Sequence, residues 1–324
     1  MVSCCRLTRP CLLTRFSRMP INFLASLGGS LAERWTAILL TPAFIFWSGG
    51  LAAWIWRFGW QPLEQWLLGL SEPLQMAIII GTLLGISTSA VAIQGADLPA
   101  LRLLAGDWPR WGRPLKRQRL AQQRRRLQRA ENRWQSLLAQ QETRGLTPEE
   151  SAEYVRLDAQ LRRFPAQPEK LMPTRLGNLL QAAQDQPGHK YGLDAAICLP
   201  RLWLVLPNEV KTELQTARKD LNTAARLWCW GGLFCVWCIW AWWAAFVGGL
   251  TMVLAYRWLL RTAAVYGDLL EAAFDLHRAT LYQALRWPLP RHPAEERSLG
   301  LALTAYLWRG SDQARPIFSH GESK

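Results

Sequence analysis

Histidine is scarce in this chain: four in 324 residues, at positions 189, 277, 292 and 320, and no two share a metal-ligand spacing. There is no Gly-rich phosphate loop, no nucleophile elbow and no HExxH, and Cys235-x-x-Cys238 has no second CxxC beside it. These absences remove the usual routes to phosphoryl transfer, acyl transfer and zinc hydrolysis. The expectation is a protein that is not an enzyme, with no catalytic residue, no cofactor and no metal. Acids are short as well, 24 Asp and Glu against 38 Lys and Arg, for a net charge of +14. Charge of either sign is missing altogether between Trp228 and Tyr256, where Trp, Phe, Leu, Val and Cys dominate. A soluble core helix is neither that long nor that apolar, so this run passes the threshold for a membrane segment.

What is present fits that reading. Half of the residues are hydrophobic and 19 are Trp, in apolar runs that alternate with strongly charged stretches. The seven cysteines (4, 5, 11, 198, 229, 235 and 238) read as small apolar fillers, and disulfides are not expected in a reducing cytosol. Residues 1–18 are basic and patternless and lack a cleavable apolar core, so Met19 is expected to be the true start. A first span is expected over 35–56, twenty-two uncharged residues that suffice to cross about 30 Å of hydrocarbon. An interfacial helix follows over 57–73, with Trp60, Leu63, Trp66, Leu67 and Leu70 as its apolar stripe. The second span covers 74–96, and its Gly81-x-x-x-Gly85 makes a small-residue face for another helix.

Residues 102–133 carry eleven Lys and Arg against two acids, Asp107 and Glu131. A nucleic-acid patch and the positive-inside rule both produce such a run. Base-stacking aromatics are sparse here, so the second is expected: no nucleic acid, anionic lipid headgroups as partners, and this end of the span in the cytoplasm. Leu120, Leu127, Ala130, Trp134 and Leu137 form a thin, coiled-coil-like seam. Thr147-Pro148-Glu149-Glu150 restarts the chain with a capping box, and the next helix should fold back as an antiparallel hairpin. So thin a seam suggests a partner surface, either a cytoplasmic protein or a second copy of the chain. Farther on, Arg175, Asn178, Tyr191, Asp194, Arg201 and Trp203 are candidate interaction residues. The first four either line a polar pocket or serve as caps and turns, with Asp194 and Asn208 as candidate N-caps.

The stretches PTRLGN, YGLD, PRLW and YGDLLEAAFDLHR, with LTPAFIFW before them and AEERSLGLALTAYLWRG after, resemble a family of uncharacterised bacterial multi-span membrane proteins. The resemblance covers most of the chain from Met19 on. It implies a place in the bacterial inner membrane and carries no known activity.

From Asn208 two long helices are expected, joined at Gly248-Gly249, with the chain returning to the cytoplasm so that both termini share it. On the returning helix Arg257, Arg261, Asp268, Glu271, Asp275 and Arg278 recur at steps of three, four or seven and form a polar seam on one face. That seam is either a solvated stalk or the wall of a water-filled vestibule. A last helix is expected over Pro293–Arg309, and an unstructured tail from Gly310.

The expected fold is thus all-α, a polytopic membrane protein with about four transmembrane helices and a cytoplasmic helical domain inserted between spans two and three. Its segments are a basic N-terminus (1–34), a first transmembrane hairpin (35–96), the cytoplasmic domain (97–225), a second transmembrane hairpin (226–268) and a helical extension with tail (269–324). The leading functional expectation is a non-enzymatic membrane protein whose helical domain docks a partner or self-assembles. The alternative is an oligomeric channel with an arginine-lined vestibule that favours anions.

Overall fold

The computed structural model describes residues 42–310 and 316–318. The basic N-terminal segment, the start at Met19, and the beginning of the first expected span fall outside the described residues. Those that are described form helices and connections, with no strand.

The chain begins with α1 (Pro42–Phe58) and the short α2 (Gln61–Leu68), then α3 (Glu72–Gly95), which opens with Pro73 in its first turn, where a missing N–H costs nothing. α4 (Asp97–Ala105) stops at Gly106, whose φ of +100° a side chain would strain. The basic stretch forms α5 (Arg113–Arg144), longer than the sequence pattern suggested, and α6 (Pro148–Leu161) follows it as the return limb. Both halves of the expected capping box are made at Thr147 and Glu150. Trp134 stacks on Tyr154 across the two helices at 5.7 Å, and Leu137 is fully buried. This pair packs chiefly against itself and forms an arm.

α7 (Arg175–Tyr191) and α8 (Ala195–Val205) lead into α9 (Asn208–Phe234), and α10 (Trp243–Ala284) follows. Asp194 caps α8 as expected, but Asn208 does not cap α9; it is the first helical residue, and Pro207 holds the cap position. The apolar stretch 202–206 falls largely within α8, with Leu202 and Leu206 buried in the core. α9 and α10 are the expected long antiparallel pair, and α10 at 42 residues is about 63 Å long. The reversal, however, is not at Gly248-Gly249. It lies at residues 235–242, a 3-10 stretch over Cys235–Ile239 followed by a turn. The glycine serves packing instead: a Cβ on Gly248 would meet the carbonyl of Gly231, and a Cβ on Gly231 would meet the backbone of α10. Two glycines facing each other let the helix backbones approach where any side chain would hold them apart. Gly81 and Gly85, by contrast, face open space, so no helix among the described residues uses their small-residue face.

Three cores lie along the α9–α10 pair. The first joins α7, α8, the start of α9, the end of α10 and α11 (Pro293–Arg309), which supplies Leu299, Leu303, Tyr306 and Leu307. Phe318 of the tail packs edge-on to Trp287 and Tyr306, so the chain beyond Gly310 is not wholly without contacts. The second core joins α4 and the start of α7 to the middle of both long helices, and the third sets α1 and α3 against Trp230. Around this last end, apolar side chains face outward: Ile79, Ile80, Leu84 and Val91 on α3, Phe246 and Leu254 on α10. Two helices, Glu72–Gly95 and Trp243–Ala284, are long and apolar enough to cross a membrane, and only 6% of the apolar window of the first is buried.

Candidate functional site

The chain's polar chemistry gathers along one groove, walled by α6, α7 and α10. Its two ends are built differently.

The end farther from the apolar helices is filled with ion pairs. Lys190, in the last turn of α7, reaches Glu271 and Asp275 of α10. Tyr191 donates its hydroxyl hydrogen to Asp275 at 2.7 Å, and the Arg278 guanidinium lies 4.3 Å over the Tyr191 ring. Arg278 also pairs with Glu296 of α11 and donates to the carbonyl of Asp275. Partial burial, and then the bond to Asp275, raise the Tyr191 phenol above its ordinary range. Partial burial works against the charge of Lys190, but Glu271 and then Asp275 outweigh it and leave its ammonium above the usual lysine range. Three helices are tied together here by charges that satisfy one another.

The other end is a cleft of about 620 Å³ between α5, α6, α7 and α10. Five arginines line it, Arg126, Arg156, Arg163, Arg175 and Arg261, and no carboxylate does. All five are exposed, and none forms an ion pair among the described residues. Asn178 lies in the same wall, only 2% exposed. Its Oδ1 accepts from the Met172 amide at 2.7 Å, while its Nδ2 is buried without a partner. Phe164, Leu179 and Leu260 give the cleft an apolar side.

The candidate residues named from sequence therefore separate. Arg175 and Asn178 share the arginine cleft; Tyr191 belongs to the ion-paired end. Asp194 is a helix cap, its carboxylate accepting from Ala196 N at 2.8 Å. Arg201 is exposed and donates to its own helix at Ile197 O, and Trp203 packs half-buried on the first core. Of the seam on α10, Arg261 lines the cleft, Asp268 and Glu271 line the adjoining stretch of groove, and Asp275 and Arg278 are paired within the chain. Arg257 is exposed, and the next position along the seam, Tyr282, is buried in the core. From Arg261 on, the seam is the face that α10 turns toward its own neighbours.

Sequence reasoning missed Arg126, Arg156, Arg163, Lys190 and Glu296. Apart from Arg156 and Arg163 they come from separate helices, and spacing along the chain cannot bring them all together. The one available hint was Arg156 and Arg163, seven apart and so on one face of α6. The PTRLGN stretch also acquires a physical meaning. Thr174 caps α7 and donates to the carbonyl of Ala105 at 2.8 Å, and Gly177 leaves room for that same carbonyl, so the motif docks α7 on the end of α4.

Among the described residues no group of three His, Cys, Asp or Glu is placed to hold a metal ion. Compared with protein-family models, curated proteins and solved structures, the chain matches none of them.

Proposed function

We propose that this is an integral membrane protein that works by docking rather than by catalysis, with the α5–α6 arm as its contact surface on the cytoplasmic side. One observation carries the reading: the arm packs chiefly on itself, and α5 has ten Lys and Arg against two acids. A basic surface of this kind attracts acidic partners and strengthens their encounter through long-range steering. The test is a pull-down from detergent with Arg117, Arg124 and Arg125 changed to Glu in the full chain. Loss of the co-purifying protein, or of the oligomer, at unchanged membrane insertion is the expected result. Identical partners and identical particle mass would overturn it.

The membrane placement belongs to the same proposal. α3 and α1 are read as crossings. The α9–α10 hairpin is read differently from a second pair of spans. Its apolar limbs run from Arg226 to the reversal and from the reversal to Arg257, each about 20 Å long against about 30 Å of hydrocarbon. We read it as a hairpin that enters and returns from one side. Three features of the hairpin suit apolar surroundings. Trp240 N and Ala241 N donate to Trp237 O, and Ala244 N donates to Ala241 O. The indole of Trp237 donates to Phe46 O at 3.1 Å. Arg226 makes a bidentate pair with Asp97 at 2.7 and 2.8 Å, at the cytoplasmic end of α3. Ile239→Cys should then resist membrane-impermeant thiol reagents from both sides. Labelling from outside would instead mean a complete crossing. Both chain ends share the cytoplasm in either case, and the likeness of PTRLGN and YGDLLEAAFDLHR to a bacterial multi-span family supports that reading. A channel would need the 257–278 face to line a lumen, and most of that face is committed to the groove.

A further inference from the structure

We infer that the arginine cleft is a receptor site for a phosphate ester, and that this ligand clamps the arm to the body of the protein. The clearest sign is what the cleft lacks. Several other cations on the same helices do meet an acid: Arg133 pairs with Glu153, Arg144 with Glu150, Arg162 with Asp158, and Arg278 with Glu296. Arg126, Arg156, Arg163, Arg175 and Arg261 converge on one cavity with no acid in its lining. Guanidiniums gathered this way repel one another until an anion sits among them. The planar guanidinium fork also suits the oxygens of a phosphate better than any other common ligand.

Exposed arginines alone would describe only a solvated surface. The buried amide of Asn178 is a separate observation. Its Nδ2 group has two N–H donors and no partner among the described residues, and the residue lies in the wall of this cleft. Leaving a buried donor unmade is costly, and a ligand oxygen in the cleft would satisfy it. Asn178 is also fixed in position, because its oxygen is held by the Met172 amide.

Volume and walls narrow the ligand further. At about 620 Å³ the cleft is in the range of sites for small organic molecules, well beyond what inorganic phosphate fills. Phe164, Leu179 and Leu260 offer an apolar surface beside the cations, so the ligand carries an organic group next to its phosphate. Leu260 and Arg261 lie about one turn beyond Tyr256, where the apolar stretch ends. That depth suits a phospholipid headgroup as well as a soluble phosphate ester. The depth argument rests on the membrane reading proposed above; the arginines and Asn178 do not. Because Gln123 and Arg126 come from the arm while Arg175, Asn178 and Arg261 come from the body, one bound phosphate bridges the two.

The experiment uses the full chain in phosphatidylcholine nanodiscs and follows thermal unfolding by intrinsic Trp fluorescence. In one series glycerol phosphate is titrated in solution; in the other, phosphatidic acid is added to the disc. A concentration-dependent rise in Tm in the first series assigns a soluble ester, and a rise confined to the second assigns a lipid. A flat response in both overturns the inference. Arg163→Gln with Arg175→Gln should weaken binding by roughly tenfold or more. Arg110→Gln with Lys116→Gln removes the same charge outside the cleft and should leave binding within about twofold, which is within the salt-screened range for remote surface charges. Equal weakening by the two pairs would show diffuse attraction and sink the site. Asn178→Asp keeps the acceptor for Met172 and places a carboxylate among the arginines. It should raise Tm without ligand and abolish the ligand-dependent rise; an unchanged ligand response would count against the site. The soluble series does not depend on how the chain crosses the bilayer, so failure of the cleft is separable from failure of the membrane reading.

Discussion

The two ends of the groove along α10 make an instructive pair. They share a helix face and are about four turns apart, between Arg261 and Asp275, yet they treat charge in opposite ways. At the far end every named cation has an acid beside it, and Tyr191 is pinned between Asp275 and Arg278. At the near end five arginines face each other across open space. A charge that is paired inside the chain stabilises the fold; a charge left unpaired in a cavity is held ready for something outside it. The difference is a difference in role, and substitution should expose it.

The largest effect is expected where the paired end is closed. A Cβ on Gly300 would collide with the carbonyl of Tyr191, so Gly300→Val must push α11 off α7. A loss of about 3 kcal/mol is expected, with early loss of the contacts around Tyr191 in a thermal melt. Next comes Arg278→Ala, which removes the pair with Glu296 and the cation over Tyr191 together. About 1–2 kcal/mol is expected, discounted because the pair is partly solvated. The same kind of substitution at the other end should have the opposite sign. Arg261→Gln removes one of five like charges and no ion pair, so the unliganded protein should unfold at the same temperature or slightly higher. If Arg261→Gln destabilises as much as Arg278→Ala, the contrast between the ends is false.

Why the sequence revealed one part of this and not the other is a matter of range. Local signals were legible: the Thr147 capping box, Asp194 as a cap, the helix at Pro293–Arg309, and the antiparallel arm all follow from residues within a few positions of each other. The reversal near Cys235 was misplaced because Gly248-Gly249 looks like a turn, while the actual turn is written in Trp, Cys and Ile, none of which marks one. The glycine there answers a contact with Gly231, seventeen positions away in the sequence and on another helix. The polar seam is a pattern along α10 alone, and its meaning depended on what packs against that helix. Lys190, Glu296 and the arginines of the arm supply that meaning. No periodicity on a single helix contains them.

The smallest expected effect concerns the arm, and it tests whether the arm is held mainly by its own contacts. Arg133 donates two hydrogen bonds to Glu153, at 3.0 and 2.7 Å, and these hold the carboxyl below the ordinary glutamate range. Glu150 is held low as well, first by the backbone N–H of Thr147 and then by Arg144. A carboxyl whose pKa is depressed by folding contributes its stability above the unfolded value and loses it as the pH falls through the folded one. The arm should therefore loosen on the acidic side of the usual glutamate range. Both glutamates are open to solvent, so the change is small and salt should blunt it. Amide exchange resolved by segment reads it directly: faster exchange in Pro148–Leu161 as the pH is lowered, after correction for intrinsic rates. Arg133→Gln should flatten that dependence and leave exchange in Arg175–Tyr191 as it was. If the substitution speeds exchange in both segments together, the arm is part of the same cooperative unit as the body, and a ligand would have nothing left to clamp.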